Sequence, residues 1–268
     1  MRNEPSRTAM LAATARAAHL LLNGARALLQ DWMAWPLLGP YVETNLEFAH
    51  ELFGEHWTDV ATWFAGRTRL TEDWLTRSKA EQYVILGAGL DTFAWRQAGV
   101  IEVHEFDHPS TQGWKRERLA KLGVPEPETL TMTEVNFEEQ RVTEALQTSS
   151  VDLARPIFVN WLGVFPYLTP AAITETLAGL PPCAAAMTYN LPESAWDADI
   201  RAAVERVLHS VAALGEPMIT LTTPQETADL LSAAGFRVVE DLGPQEMTAR
   251  FGLSCRVAER IVLAHKAG

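Results

Sequence analysis

The chain has 268 residues, 47% of them hydrophobic and 21% charged, and its formal net charge is -12. This length and composition suit one large domain, or a domain with a sizeable appendage, that can bury a full core. Because nucleic acids and anionic membranes attract basic proteins, the acidic charge argues against both as main partners and leaves a small molecule or a protein as the substrate.

The N-terminal stretch lacks the features of a targeting signal. A signal peptide needs an uninterrupted apolar centre of about 7 to 15 residues and a membrane span needs about 20, whereas Arg16 and His19 interrupt this stretch. We therefore expect a soluble, cytoplasmic protein. Cys183 and Cys255 show no CxxC spacing, which argues against a disulfide framework or a thiolate metal site.

The first 80 residues have a helical pattern. From Ser6 to about Leu29 the apolar residues recur at helical spacing and Ser6 can cap the first turn, which predicts one long amphipathic helix. Tryptophan-rich helical segments follow in EFAHELF, DVATWFAG and DWLTRS. We expect residues 1–80 to form a helical unit and residues 81–268 to form a second unit of different character.

The second unit alternates strand patterns with helix patterns. Short apolar or alternating runs predict seven strands, in QYVILG, IEVHEF, TLTMTEV, PIFVNWLG, CAAAMTYNL, FRVVEDL and RVAERIVLAH. Helical patterns lie between most of them, in TQGWKRERLAKLG, EEQRVTEALQ, PAAITETLAGL, DADIRAAVERVLHSVAAL and PQETADLLSAAGF. This alternation predicts an α/β protein with a mainly parallel sheet and helices on its faces.

The stretch VILGAGLDTFAWR places Gly87 and Gly89 just after the first predicted strand, where a backbone without side chains can approach a ligand closely. Dinucleotide sites carry GxGxxG, but Thr92 stands at the third glycine position and the Asp91 carboxylate would repel a pyrophosphate. S-adenosylmethionine has no phosphate and carries a positive sulfonium, so the turn suits it better. Asp107, 20 positions after Gly87, is placed to accept hydrogen bonds from ribose hydroxyls.

Six segments in order resemble the leucine carboxyl methyltransferase family, and more narrowly its bacterial branch of O-methyltransferases associated with polyketide and other natural-product pathways. The segments are SRTAMLAATARAAHLL, TWFAGRTRLTEDWL, ILGAGLDTFAWR with EFDHP, WLGVFPYLT, GEPMITLTTPQETADLL and AAGFRVVEDLGPQEMTARF. The resemblance implies the Rossmann-like class I methyltransferase fold, with a seven-stranded, mostly parallel sheet and an N-terminal helical cap over the pocket.

The resemblance also implies the contacts of the cofactor S-adenosylmethionine. Arg67 matches the arginine that pairs with the cofactor's carboxylate, although neighbouring Arg69 could be mistaken for it. Asn136 and Asn160 depart from the family, which usually has aspartate beside the adenine and, in carboxyl methyltransferases, often has glutamate on the fourth strand. The full predicted set is Arg67, Gly87, Ala88, Gly89, Asp107, His108, Asn136, Phe137 and Asn160.

The nucleophile of the predicted methyl transfer decides whether a base is needed. A carboxylate is already ionised at pH 7, whereas a hydroxyl calls for a base. His108 and His19 are the weak candidates for that base, and a structural or solvent-facing role is favoured for each. Of the cap tryptophans, we expect most to pack the cap onto the sheet, with one or two lining an apolar acceptor pocket as the sharper alternative.

No metal site is predicted. His104 and His108 are four residues apart, but on a strand that spacing separates them by about 13 Å. The segment HELFGEH resembles the zinc motif HExxH only superficially, since its second histidine comes two positions late for one helical face.

The preferred function is therefore an S-adenosylmethionine-dependent O-methyltransferase that acts on a carboxylate, or second a hydroxyl, of a small molecule or carrier-bound intermediate. Two alternatives stay open: a nicotinamide-dependent oxidoreductase of similar fold, and a protein that binds S-adenosylmethionine without catalysis. The sequence does not define the oligomeric state.

Overall fold

A computed structural model describes residues 6–137 and 140–268, and its centre is a seven-stranded sheet in the order β3-β2-β1-β4-β5-β7-β6. The strands are β1 Gln82–Leu86, β2 Glu102–Asp107, β3 Leu130–Glu134, β4 Ile157–Trp161, β5 Cys183–Asn190, β6 Phe236–Leu242 and β7 Glu259–Lys266. Only β7 is antiparallel to its neighbours β5 and β6 among the described strands. The predicted seven-stranded, mostly parallel α/β sheet is confirmed.

The described residues form eleven α-helices. They are α1 Arg7–Asn23, α2 Ala34–Leu38, α3 Val42–Phe53, α4 Trp57–Ser78, α5 Phe93–Arg96, α6 Pro109–Leu122, α7 Val142–Thr148, α8 Pro170–Gly179, α9 Arg201–Ala213, α10 Pro224–Ala233 and α11 Pro244–Phe251. The patterns between the strands predicted α6 to α10, but they did not predict α11.

The first helix is shorter than the sequence pattern predicts. Its N-terminus is as expected, because the Ser6 hydroxyl accepts a hydrogen bond of 3.2 Å from the Ala9 N–H. The prediction of one helix continuing to Leu29 is wrong, since α1 ends at Asn23. Gly24 has a φ of +53°, a conformation that favours glycine, and its N–H closes the last turn onto the Leu20 carbonyl.

Helices α1 to α4 form a cap on one face of the sheet. Trp63 and Trp74 of α4 share a buried core with Tyr83 and Ile85 of β1 and Phe158 of β4. Such aromatic burial supplies much of the apolar contact between the two layers. The cap helices end at Ser78 and β1 begins at Gln82, but the division of the chain into two domains after residue 80 stays a prediction.

The cap tryptophans differ in their burial. Trp57, Trp63 and Trp74 are buried, whereas Trp32 and Trp35 are 55% and 41% exposed. Packing therefore accounts for three of the five, and Trp63 alone among these five also borders the cavity described below. In the part of the chain that the structure describes, no helix is long and apolar enough to cross a membrane.

Candidate active site

A cavity of about 950 Å³ opens at the carboxyl-terminal edge of the parallel strands. The loops after β1, β2, β4 and β5 form one side, α1 and α4 of the cap form another, and α9 closes a third. Ligands of open α/β sheets bind at this edge, and the volume lies at the upper end for small-molecule sites. Its place and volume are those of a small-molecule site.

The glycine turn after β1 borders the cavity. Gly87 and Gly89 have φ angles of +70° and +52°, which side-chain-bearing residues rarely adopt. A Cβ atom at Gly87 would also collide with the Val164 side chain. Ala88 between them borders the cavity as well. The turn thus brings its backbone to the cavity surface, as its sequence predicts.

Asp107, the last residue of β2, is tied to this turn. Its carboxylate accepts hydrogen bonds from the Gly89 N–H and, at 2.6 Å, from the His108 N–H. Burial raises the pKa of Asp107 above its ordinary value, and the two backbone hydrogen bonds partly oppose that rise. The structure therefore places a hydrogen-bonded carboxylate beside the glycine turn and on the cavity surface.

Asp91 and Thr92 have specific roles in the turn. The Asp91 carboxylate accepts a 2.7 Å hydrogen bond from the Phe93 N–H at the start of α5. The Thr92 hydroxyl donates to Asp31 of the cap at 2.6 Å and accepts from the Arg96 Nε–H at 2.9 Å. A dinucleotide site would direct a pyrophosphate to this helix start, but here a carboxylate occupies the first N–H group.

The predicted adenine and fourth-strand residues also reach the cavity. Asn136 and Phe137 border it beyond β3, and Asn160 borders it at β4. The Asn160 amide donates a 2.7 Å hydrogen bond to the Tyr83 hydroxyl, while its buried Oδ1 atom has no hydrogen-bond partner among the described residues. A buried acceptor without a partner is costly, so Asn160 is suited to a ligand that donates a hydrogen bond there.

Arg67, on α4, reaches the cavity from the cap. It is only 6% exposed, and its Nη1 atom donates to both oxygens of Glu259, at 2.5 and 2.7 Å. Arg69, two residues later, points elsewhere, with its Nε 2.9 Å from Asp73 on an exposed surface. The structure therefore separates the two arginines and places only the first of them against the cavity. The Glu259 partner was not found from the sequence.

The two histidines considered as bases lie in different places. His19 is fully buried and lies outside the cavity lining, and its Nε2 accepts a 3.0 Å hydrogen bond from the Leu28 N–H. These contacts fit the structural role that the sequence favoured for His19 over the role of a base. His108 does border the cavity, but its Nδ1 accepts from the Ser110 N–H at 3.2 Å and caps α6.

A histidine that was considered above only as a metal ligand, and not as a base, does reach the cavity. His56 in HELFGEH follows α3, is half-buried and borders the cavity near Phe53. Among the described residues, no group of three or more His, Cys, Asp or Glu side chains is arranged to hold a metal ion.

Part of the cavity lining is apolar. One face of α9 and the turn before it supplies Trp196, Ile200, Val204, Val207, Leu208 and Val211. Phe53 and Val60 of the cap lie at the same cavity. The α9 residues follow the three- and four-residue spacing of an amphipathic helix. This spacing predicted the helix, but it did not show that the apolar face would line the cavity.

This combination of sheet order, glycine turn and cap defines the class I methyltransferase fold. Two solved structures share it: a DUF574 family protein from Streptomyces avermitilis, with TM-score 0.62, 18% identity and coverage of 86% of this chain and 94% of that one; and a candidate methyltransferase from Thermobifida fusca, with TM-score 0.60, 16% identity and coverage of 87% and 92%.

Residues 9–180 match the family model described as leucine carboxyl methyltransferase. The chain belongs to the leucine carboxyl methyltransferase family. A relative from Bacillus subtilis, YktD, named as a candidate S-adenosyl-L-methionine-dependent methyltransferase, is 31% identical over 180 residues, which cover 64% of this chain and 59% of YktD. The matched region thus spans less than two thirds of that relative's length.

Proposed function

We propose that this chain transfers a methyl group from S-adenosylmethionine to an oxygen atom of an apolar small molecule or carrier-bound intermediate. The observation that supports this most strongly is the hydrogen bond from the Gly89 N–H to the Asp107 carboxylate, on a cavity that Arg67 also borders. The cavity surface thus carries a carboxylate that can accept hydrogen bonds from a ribose, a backbone turn that a ligand can approach closely, and a guanidinium group. Family membership supports the same cofactor.

The residues present fit this cofactor. Asp107 would accept hydrogen bonds from the ribose hydroxyls, and Asn136 with Phe137 would lie beside the adenine. The unpartnered Oδ1 atom of Asn160 offers an acceptor to a donor group of the ligand. When bound, S-adenosylmethionine supplies an electrophilic methyl group on a positively charged sulfonium.

A carboxylate is the preferred acceptor group because it needs no base, whereas a hydroxyl would need one, such as His56 on the cavity wall. His108 caps a helix through Nδ1, and burial raises the pKa of Tyr167, which borders the cavity, well above its ordinary value, so its phenol is protonated at pH 7. A carboxylate is ionised already. Arg67 and Arg16 are both paired with carboxylates, so the sulfonium itself would supply the charge that attracts the acceptor.

The protein's part in the reaction is to position the acceptor and exclude water. In-line transfer requires the acceptor oxygen about 3 Å from the methyl carbon, opposite the sulfur. The apolar face of α9 would hold the acceptor's hydrocarbon part. Glu216, on the segment after α9, accepts hydrogen bonds of 3.1 and 3.2 Å from the Arg7 and Thr8 N–H groups, which ties this segment to the start of α1 in the cap.

The two alternatives predict different observations. A nicotinamide-dependent oxidoreductase would need the pyrophosphate position that Asp91 occupies. A protein that binds the cofactor without catalysis would bind S-adenosylhomocysteine but would transfer no methyl group to any acceptor.

The proposal is tested with methyl-labelled S-adenosylmethionine and two acceptors of one chain length, decanoic acid and 1-decanol. We expect label in an organic-soluble product from decanoic acid, and alkali should release that label as methanol because the product is an ester. Alkali-stable label from 1-decanol alone would move the assignment to hydroxyl acceptors. Absence of transfer to these and to a wider panel of carboxylates and alcohols, despite cofactor binding, would favour the non-catalytic alternative.

A further inference from the structure

Trp63, Arg67 and Glu259 form a buried polar cluster at the cavity. Trp63 and Arg67 are four residues apart on α4 and therefore lie on one helical face. Glu259 is the first residue of β7, which is antiparallel to β5, so Glu259 pairs with Asn190 at the carboxyl-terminal end of β5. The antiparallel strand thus brings a carboxylate to the same edge of the sheet as the glycine turn.

The contacts fix this cluster closely. The Glu259 carboxylate accepts from Arg67 Nη1 with both oxygens, and its Oε2 also accepts from the Trp63 indole N–H. The Arg67 guanidinium carbon lies 3.9 Å from the centre of the Phe64 ring. The Arg67 Nη2 atom lies 3.2 Å from the position that a Cβ atom at residue 163 would take. Because this residue is Gly163, the loop after β4 leaves space for that nitrogen.

The hydrogen-bonding capacity of the cluster is not used up by these contacts. A carboxylate offers about four lone-pair sites, and a guanidinium has five N–H donors. Among the described residues, the protein hydrogen bonds of Arg67 use Nη1 alone, and three of the Glu259 sites are in use. Both side chains border the cavity, so each can still contact a ligand.

A buried ion pair is weak evidence for stability, because desolvation offsets much of its attraction. A pair of opposite charges on a cavity wall is, however, complementary to a zwitterion. The amino-acid end of S-adenosylmethionine is such a group, with an α-carboxylate and an α-ammonium next to each other. Neither Arg67 nor Glu259 alone would match both charges.

We propose that Glu259 binds the α-ammonium group of the cofactor while it holds Arg67 toward the α-carboxylate. This inference rests on the proposed function and adds a residue from the last strand of the sheet to the binding site. Trp63 is a positioning residue, since it acts through its hydrogen bond to Glu259.

The test compares two ligands that differ only in the amino-acid end. S-adenosylhomocysteine carries the zwitterion, whereas 5′-methylthioadenosine has the same nucleoside and lacks it. Calorimetric titration is made on the wild type, on Glu259→Gln and on Asp241→Asn. The last is the matched control, because Asp241 pairs with Arg260 at 2.8 Å on the neighbouring strands and lies outside the cavity lining.

We expect Glu259→Gln to weaken S-adenosylhomocysteine by about 10- to 100-fold and to leave 5′-methylthioadenosine within about twofold. Asp241→Asn should change neither affinity. Equal weakening of both ligands by Glu259→Gln, or weakening of neither, would overturn the inference while the proposed function stands. A wild type that binds neither ligand would instead overturn the proposed function and this inference with it.

Thermal melting establishes that each variant is folded before titration. If Glu259→Gln does not fold, Glu259→Asp keeps the charge but withdraws the carboxylate by one methylene group. The same selective loss of S-adenosylhomocysteine is then expected, and an unchanged ratio of the two affinities would count against the inference.

Discussion

The hydroxyl of Thr92 donates a 2.6 Å hydrogen bond to the carboxylate of Asp31 and so joins the glycine turn to the cap. Asp31 also accepts from Arg16 Nε at 2.7 Å, and Arg96 donates to Thr92 at 2.9 Å. Burial by itself would raise the pKa of Asp31, but the charges of Arg16 and Arg96 and the hydrogen bonds outweigh it and hold the pKa below its ordinary value.

Asp31→Asn is expected to destabilise the protein, because it leaves Arg16 without its buried counter-charge, although Arg96 keeps Glu72 at 2.5 Å. Breaking a buried pair in this way costs about 3 to 5 kcal/mol. Chemical denaturation would measure the loss in the free energy of unfolding. Asp73→Asn removes an exposed partner of Arg69 and should cost less than about 1 kcal/mol. Similar losses for the two variants would contradict the role given to Asp31.

Arg67→Ala is expected to weaken S-adenosylhomocysteine binding by about 100-fold, because it removes charge-assisted hydrogen bonds and leaves Glu259 unpaired. Arg69→Ala is the matched control, since it removes the same side chain two residues away on the exposed face. Its affinity should stay within about twofold of the wild type. Calorimetry measures both, and equal affinities for the two variants would remove Arg67 from the proposed site.

Asp107→Asn is expected to weaken S-adenosylhomocysteine and 5′-methylthioadenosine alike, by about 10- to 100-fold, because both contain the ribose. Glu134→Gln, at the exposed end of β3, serves as the control and should bind both ligands normally. A selective loss of one ligand would show that Asp107 does not contact the ribose.

The raised pKa of Asp107 gives a pH dependence of the same binding step. The ionised carboxylate is the form that accepts from ribose hydroxyls, and burial shifts its protonation to a higher pH than for an ordinary aspartate. Affinity should therefore be constant near pH 7 to 8 and fall on acidification, while Asp107→Asn should show a weaker dependence. Calorimetric titrations from pH 8 toward acid pH check this prediction. Identical pH profiles for the wild type and Asp107→Asn would contradict the assignment.

His19 should make the fold sensitive to acid. Desolvation by burial lowers its pKa from the ordinary 6.5, so the folded state favours the neutral ring, whose Nε2 accepts from Leu28. The resulting stability is fully present above pH 6.5 and is lost as the pH falls through the folded pKa.

The measurement is the unfolding free energy of the wild type minus that of His19→Gln, taken at several pH values. Glutamine can accept from Leu28 without titrating in this range, and other ionisable groups cancel in the difference. The difference should fall toward acid pH by at most about 1.4 kcal/mol per pH unit. A difference independent of pH from 8 to 5 would show that His19 is not held neutral.

The strands were predictable because apolar runs report burial directly. All seven runs form strands, since each lies in a sheet covered on both faces. Their order in space has no local signal, and the family resemblance implied only that the sheet is seven-stranded and mostly parallel. The end of α1 was misplaced because Gly24 was read as part of a continuing helix, although its left-handed φ is a common way for a helix to end. Helix α11 was missed although Pro244 begins it and Gly252 follows it.

The glycine turn and Asp107 were predictable because their spacing along the chain sets their geometry. Glu259 was not, because it meets Arg67 across 192 positions of sequence and no short motif marks it. The sequence showed only that Thr92 argues against a dinucleotide. Its hydrogen bond to Asp31 was not predictable, because Asp31 lies 61 positions earlier, in the cap. Long-range polar pairs of this kind become visible only in three dimensions.

The central claim, that this cavity binds S-adenosylmethionine, is tested most directly by calorimetric titration of one wild-type preparation with S-adenosylhomocysteine and, separately, with NADH. The account predicts saturable binding of S-adenosylhomocysteine at one site per chain and no heat of binding from NADH at the same concentrations. Saturable binding of NADH together with no binding of S-adenosylhomocysteine would contradict it.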